Sequence, residues 1–258
     1  MSVSKIYRDF FNQGVFAFEE LLRKYGKENS EKTLRNLVFQ GLKRGTIGLV
    51  KRGLYFVIPP GQSKETYSPD PFLIASRLSK NATVAYHSAL ALHGAAYSDS
   101  NRIYFFTPTI TRGFEFRGME YVPVQKKAAW GTEAIEREGV SVKTTDRERT
   151  VIDCVDRPDY AGGLEELLKS LELFPSLDLA KLEAYLRKVN KKVLFAKMGF
   201  LLERMKDRWK VSEELLLRIE KHCGKGVTYF EAKKGKGKLV SRWSLILPEN
   251  LESLLQGV

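Results

Sequence analysis

The residues best equipped for chemistry lie near the N-terminus: Ser30, Lys32, Thr33, Arg35, Asn36 and Lys43, followed by Lys51 and Arg52. Lysine and arginine neutralise phosphate, hydroxyls bond it, and an asparagine amide pairs with the edge of adenine. Such a set suits recognition of a nucleic acid. For bond cleavage the chain offers less. His87 and Ser88 adjoin each other, with His93 further on. Neighbours on a helix point about 100° apart, so they make no nucleophile–base pair. His222 beside Cys223 lacks the additional ligands a metal needs. Gly235-Lys236-Gly237-Lys238 lacks the hydroxyl residue and following helix of a phosphate loop. Asp153 and Asp156 are spaced to converge on a divalent ion, with Asp146, Glu148 and Asp159 nearby. They make a magnesium-dependent nuclease the enzymatic alternative. The leading expectation is a non-enzymatic protein with no catalytic residue, metal or cofactor.

The elements that must hold these cations follow from apolar spacing. Ser4–Phe11 is expected to be a first helix with Ile6, Phe10 and Phe11 as its apolar stripe, and Phe18–Tyr25 a second. Ser30 is the expected N-cap of a third. On that helix Leu34, Leu37, Val38 and Leu42 share one stripe, while Lys32, Asn36, Phe39 and Lys43 lie opposite. Arg35 and Thr33 fall at the margins. Strands at Ile47–Val50 and Leu54–Ile58 flank Lys51-Arg52-Gly53, a turn that points two cations outward. Three helices and a basic hairpin read as a winged helix-turn-helix over residues 1–60, a fold that sets one helix in a DNA major groove.

Composition narrows the partners. The net charge is +12, divided unevenly. Residues 1–60 carry eleven Lys/Arg against five Asp/Glu, residues 61–186 fifteen against eighteen, and residues 187–258 seventeen against eight. Lys191, Lys192, Lys233, Lys234, Lys236 and Lys238 thus mark a second basic surface, for DNA, RNA or protein. No apolar run approaches the ~20 residues of a membrane span, and the N-terminus has no secretory apolar core. Two distant cysteines, Cys154 and Cys223, suit a reducing compartment. A cytoplasmic protein without membrane contact is expected.

Pro59-Pro60-Gly61-Gln62-Ser63-Lys64 breaks the pattern, placing a linker over 61–69 and a second domain over 70–258. Asp70-Pro71 is a helix-start signal for Phe72–Leu78. Strands are expected at Ile103–Thr107, Phe114–Phe116, Glu120–Val124 and Val140–Lys143. Thr145 and Glu148 have capping-box spacing ahead of a helix that stops before Pro158. Helices at Leu164–Leu173, Leu179–Val189, Val193–Met205 and Ser212–His222 follow, then strands Val227–Ala232 and Leu239–Leu247 and a final short helix, Pro248–Leu255. The fold class is α+β: a winged helix-turn-helix, then a larger mixed α/β domain rich in helices.

Four segments in order resemble the AbiEi antitoxins of type IV toxin–antitoxin systems. They are Val50-Lys51-Arg52-Gly53-Leu54-Tyr55, Tyr86-His87-Ser88-Ala89-Leu90-Ala91-Leu92-His93-Gly94, Thr145-Asp146-Arg147-Glu148-Arg149-Thr150-Val151-Ile152-Asp153, and Arg242-Trp243-Ser244-Leu245-Ile246-Leu247-Pro248. Leu54 replaces the commoner valine, Val151-Ile152 replaces leucines, and the basic C-terminal stretch has no match in the family pattern. The resemblance implies a transcriptional autorepressor that binds its own operator, a double-stranded DNA with repeated sites, through the winged helix. It also implies that the larger domain counteracts a nucleotidyltransferase-type toxin, with or without direct contact. By position, Lys32, Arg35, Asn36, Lys51 and Arg52 would carry DNA contacts. A stand-alone winged-helix transcription factor with a ligand- or partner-binding second domain is the alternative within the binding class. A plain protein–protein interaction module is another.

Overall fold

The structure is a computed structural model that describes residues 1–109, 112–126, 130–231, 237–249 and 251. The chain opens with α1 (Val3–Phe10), β1 (Val15–Ala17), α2 (Phe18–Tyr25), α3 (Glu31–Lys43), β2 (Ile47–Lys51) and β3 (Leu54–Val57). It continues through α4 (Pro71–Ser76), β4 (Thr83–Val84), α5 (His87–Leu92), β5 (Arg102–Thr107), β6 (Phe114–Phe116) and β7 (Met119–Gln125). Then come β8 (Thr132–Arg137), β9 (Val140–Thr145), α6 (Arg147–Asp156), α7 (Leu164–Leu173) and α8 (Leu179–Val189). Last are α9 (Lys192–Arg204), α10 (Lys206–Trp209), α11 (Glu213–Glu220), β10 (Thr228–Tyr229), β11 (Gly237–Val240) and β12 (Leu245–Pro248). The class is α+β, with helices and, among the described residues, three separate sheets.

Two compact units form. The first comprises Met1–Val84, Asn101–Ala128 and Glu133–Thr144; the second comprises Ala85–Ser100, Ala129–Thr132 and Thr145–Val258. These units are cut differently from the sequence-expected domains, because residues 1–60 and most of the large sheet share the first unit.

In the first unit, α1, α2 and α3 pack on an antiparallel sheet of order β1-β3-β2. Their shared core contains Ile6, Phe10, Phe16, Phe18, Leu21, Leu34, Val38 and Ile47, with Leu37 and Leu42 half-buried against it. The expected stripe of α3 is therefore its inner face. That of α1 needs one correction: Ile6 and Phe10 are buried, but Phe11 is 40% exposed, because the helix gives way to a tighter turn at that residue. Gly48 lies against the face of Phe56, where a Cβ would come within 2.0 Å of the ring. Only glycine fits there.

The second sheet of this unit has order β6-β7-β5-β4-β9-β8 and mixed direction. Parallel β5 and β7 align Ile103 with Tyr121 and Phe105 with Pro123. Among the described residues β6 pairs with Met119–Tyr121, so Pro123 lies beyond that ladder and its missing N–H breaks none of its bonds. Strands β1 and β8 escape the apolar-spacing criterion. One is three residues long, and the other, Thr-Glu-Ala-Ile-Glu-Arg, has no buried residue.

In the second unit α9 is the central element, buried continuously from Leu194 to Leu202. Gly199 admits the Trp243 ring, which a Cβ would meet at 2.1 Å. The expected strand over Leu239–Leu247 is broken by a turn at Ser241–Trp243, and β12 pairs antiparallel with β11 and parallel with β10. The expected capping box of α6 is not formed. Asp146 is the N-cap, accepting from the Arg149 N–H at 2.9 Å, while Thr145 bonds Thr150 instead. The expected final helix and the turn at Lys233–Lys236 fall largely outside the described residues.

Candidate nucleic-acid interface

Helix α3 begins where Ser30 Oγ accepts the Thr33 N–H at 3.2 Å, and the two hydroxyls share a further bond at 2.9 Å. With Leu34 and Val38 fixed in the core, helical geometry turns Lys32, Asn36, Phe39 and Lys43 outward. All four are exposed. Lys32 and Asn36 have no hydrogen-bond or ionic partner among the described residues, so their donors face solvent. Lys43 places its ammonium 4.8 Å over the Phe39 ring, which is itself 56% exposed. An aromatic ring in such a cationic face offers apolar contact to a thymine methyl.

Arg35 is differently engaged. Its guanidinium bonds Glu31 Oε1 at 2.5 Å and stacks 4.4 Å from the Phe18 ring centre. It lies at the α2 side of the surface as part of an exposed i, i+4 pair, and is less available than Lys32.

The β2–β3 hairpin is held at its tip. Gly53 adopts a φ of +84°, and its carbonyl accepts the Phe18 N–H at 2.8 Å, joining the turn to the start of α2. The two turn cations then diverge. Arg52 is exposed, with no partner among the described residues. Lys51 is half-buried, its ammonium 4.6 Å over the Phe114 ring of β6. Burial there lowers its pKa. Charge patterning brings Lys51 and Arg52 to one turn, but only Arg52 points freely outward. Arg44, the exposed C-cap of α3, escaped the sequence reading, although the basic pair Lys43-Arg44 at a helix end is its signal.

The segment over 61–69 is tied down. Arg117, in the β6–β7 turn, donates to the carbonyls of Lys64 and Tyr67 and lies 5.5 Å over the Phe56 ring. Phe56 also meets Tyr67 at a tilt and Phe116 edgewise, at 6.0 Å each. The hairpin is thus braced by the large sheet of its own unit.

The acidic residues of the second unit are committed elsewhere. Asp153 accepts from Arg149 Nε at 2.7 Å, both being almost fully buried. The Arg149 guanidinium also stacks 3.5 Å from the Trp130 ring centre, whose ring Lys188 approaches at 4.7 Å. Lys181 bridges Asp146 at 3.1 Å and Glu148 at 2.9 Å, Tyr185 donates to Asp146, and the Asp178 N–H bonds Glu148. Asp156 pairs with Lys191 at 2.6 Å, so Asp153 and Asp156 engage separate cations. Among the described residues no three His, Cys, Asp or Glu side chains gather as metal ligands. Of the second basic surface, Lys191 is thus paired, Lys192 and Lys238 are exposed, and Lys233, Lys234 and Lys236 lie outside the described residues.

His87 and His93 are packing residues. His87 donates to Glu166 at 3.1 Å, and His93 Nε2 lies 2.8 Å from the Thr145 carbonyl oxygen. Glu166 also accepts from the Tyr97 and Ser98 N–H groups and from the Ser98 and Ser170 hydroxyls. Burial pushes its pKa up. The Ser98 and Ser170 bonds and the nearby His87 outweigh that and hold it below the usual glutamate value.

No protein-family model matches the chain, and no curated protein does. Among solved structures it is similar to the crystal structure of the Rv2827c protein from Mycobacterium tuberculosis, with a TM-score of 0.66 and 19% identity. That likeness covers 99% of this chain and 92% of the other. At this identity it establishes a shared fold. No helix of the described residues is long and apolar enough to cross a membrane.

Proposed function

We propose that residues 1–60 form a winged helix-turn-helix that binds double-stranded DNA, and that the protein is a transcriptional repressor and antitoxin of the AbiEi kind. The observation that carries the DNA reading is the coincidence of two outward-facing cationic features on one packed core. The outer face of α3 presents Lys32, Asn36 and Lys43, and the β2–β3 turn presents Arg52. A helix of this kind enters the major groove while the hairpin follows the adjacent backbone. Lys32, Lys43 and Arg52 neutralise phosphates, and Asn36 reads a base edge.

The antitoxin reading rests on the four ordered segments that resemble AbiEi proteins. Three of them lie in the second unit, where they serve packing. Tyr86 meets Tyr160 edgewise, Arg149 and Asp153 form the buried pair, and Arg242 bonds Glu203, Glu213 and Glu220. In this reading the second unit supplies a stable scaffold for toxin neutralisation and no catalytic group. The protein acts in the cytoplasm on its own operator.

Two experiments test the parts separately. A gel shift with DNA from upstream of the gene is expected to give a specific complex at moderate salt; its absence would remove the repressor reading. Co-expression with the neighbouring gene is expected to rescue growth if that gene encodes the toxin. Rescue without DNA binding would leave an antitoxin that acts as a protein-interaction module.

A further inference from the structure

We propose that the cleft between α2 and the segment following α4 binds a small phosphorylated ligand with free hydroxyls, a sugar phosphate or the sugar-phosphate part of a nucleotide. The cleft has a volume of about 570 Å³, is lined by Ala17, Glu19, Glu20 and Arg23 of the α2 side and by residues 76–80, and lies wholly within the first unit. That volume is in the ordinary range for small-molecule sites. Seven of its nine lining residues are charged or hydroxylated.

Part of that polarity is spent on building the walls. Glu20 Oε2 accepts the Ala17 N–H at 2.8 Å, and its Oε1 faces Arg77 Nε at 3.3 Å without the alignment of a hydrogen bond. Ser76 donates to the Leu73 carbonyl at 2.8 Å and accepts from Arg77 Nη1 at 3.2 Å. Glu20 and Ser76 therefore hold the Arg77 guanidinium in place.

What is left over is mostly donors. Ser79 Oγ is a buried atom without a hydrogen-bond partner, and Arg77 Nε, also outside any aligned hydrogen bond, is ion-paired with Glu20 at 3.3 Å. Arg23 and Lys80 are exposed at the rim, and neither has an ionic partner among the described residues. Three cations around one cleft, Arg23, Arg77 and Lys80, suit the oxygens of a phosphate group, and the unpaired Arg23 guanidinium can bind it in two-point fashion. Glu19, exposed and unpaired among the described residues, adds an acceptor at the rim for a ligand hydroxyl. A duplex backbone would bring a row of phosphates past Glu19 and Glu20 and be repelled. A compact ligand with one phosphate and neighbouring hydroxyls uses both signs of charge.

The site stands independently of the DNA reading, and its test needs no DNA partner. Isothermal titration of the full chain in phosphate-free, low-salt buffer compares ribose 5-phosphate, inorganic phosphate and ribose. Ribose 5-phosphate is expected to bind one-to-one, inorganic phosphate more weakly, and ribose not at all. The double variant Arg23→Ser/Lys80→Ser changes only exposed rim residues and should keep the thermal midpoint of the parent. It is expected to weaken ribose 5-phosphate by about tenfold or more. Glu19→Gln should weaken ribose 5-phosphate but not inorganic phosphate. The proposal is overturned if no probe binds at millimolar concentration, or if the double variant binds ribose 5-phosphate like the parent. A double variant that loses only duplex DNA affinity would equally overturn it, assigning the cleft to the nucleic-acid backbone.

Discussion

The outer face of α3 and the first turns of α6 contain the same kinds of side chain and use them in opposite ways. On α3, Lys32 and Asn36 project into solvent with their donors unspent. On α6, Arg149 is 1% exposed, ion-paired with Asp153 and stacked on Trp130. Residue type does not separate the two regions. Pairing and burial do, because a buried charge must be satisfied in place whereas an exposed one can wait for a ligand. The α6 cluster therefore determines whether the second unit folds, and the α3 face determines what the first unit meets.

Substitutions in the two regions should differ in size accordingly. Arg149→Ala leaves the Asp153 carboxylate buried and alone, and is expected to reduce unfolding free energy by about 3–5 kcal/mol in urea titration. Adding Asp153→Leu to it should recover part of that loss. Glu166→Gln is expected to remove about 1.5–3 kcal/mol, since a charged acceptor of several hydrogen bonds becomes a neutral one. Its pH signature follows from the lowered pKa of Glu166 in the fold. The stability it contributes is complete above the unfolded-state glutamate value and is lost as pH falls through the lower folded value. The variant should therefore show a flatter acid limb of stability against pH.

Changes on the α3 face should instead spare stability. Asn36→Ala is expected to reduce discrimination at one base pair by about 1–3 kcal/mol, read as a binding-site selection with one relaxed position. The smallest effect separates the two turn cations. Lys51→Ala should lower stability by less than about 1 kcal/mol through loss of the Phe114 contact, and leave the salt dependence of DNA binding unchanged. Arg52→Ala should weaken binding to all sequences alike and reduce the salt slope by about one. If Lys51 and Arg52 behaved identically, the division of the turn into a bracing and a reaching cation would be wrong.

Much of α3 could be read from the sequence because a helix repeats its environment every few residues. Ser30 as N-cap, Leu34 and Val38 inside, and Lys32 and Asn36 outside all follow from spacing alone. The turn at Gly53 was legible for a similar reason, since a positive φ calls for glycine. Lys51 was not, because its partner Phe114 lies far along the chain and no local pattern announces a ring above an ammonium. Arg117 escaped for the same reason, holding Lys64 and Tyr67 in a stretch whose composition reads only as a linker. At α6, Thr145 and Glu148 had the right spacing for a capping box. Other partners drew them off: Thr150, one turn into the same helix, takes the hydroxyl, and the distant Lys181 and Asp178 take the carboxylate. Asp153 and Asp156 looked able to share a metal until Arg149 and Lys191 were placed beside them.

DNA binding by the α3 face and the β2–β3 turn is tested most directly by a salt titration of the complex between the full chain and duplex DNA from upstream of its gene, repeated for Lys32→Ala/Arg52→Ala. Log-linear loss of affinity with salt is expected for the parent, with a slope lower by about two for the double variant and unchanged thermal stability. Equal slopes for the two proteins, or no sequence-specific complex at moderate salt, would contradict such binding.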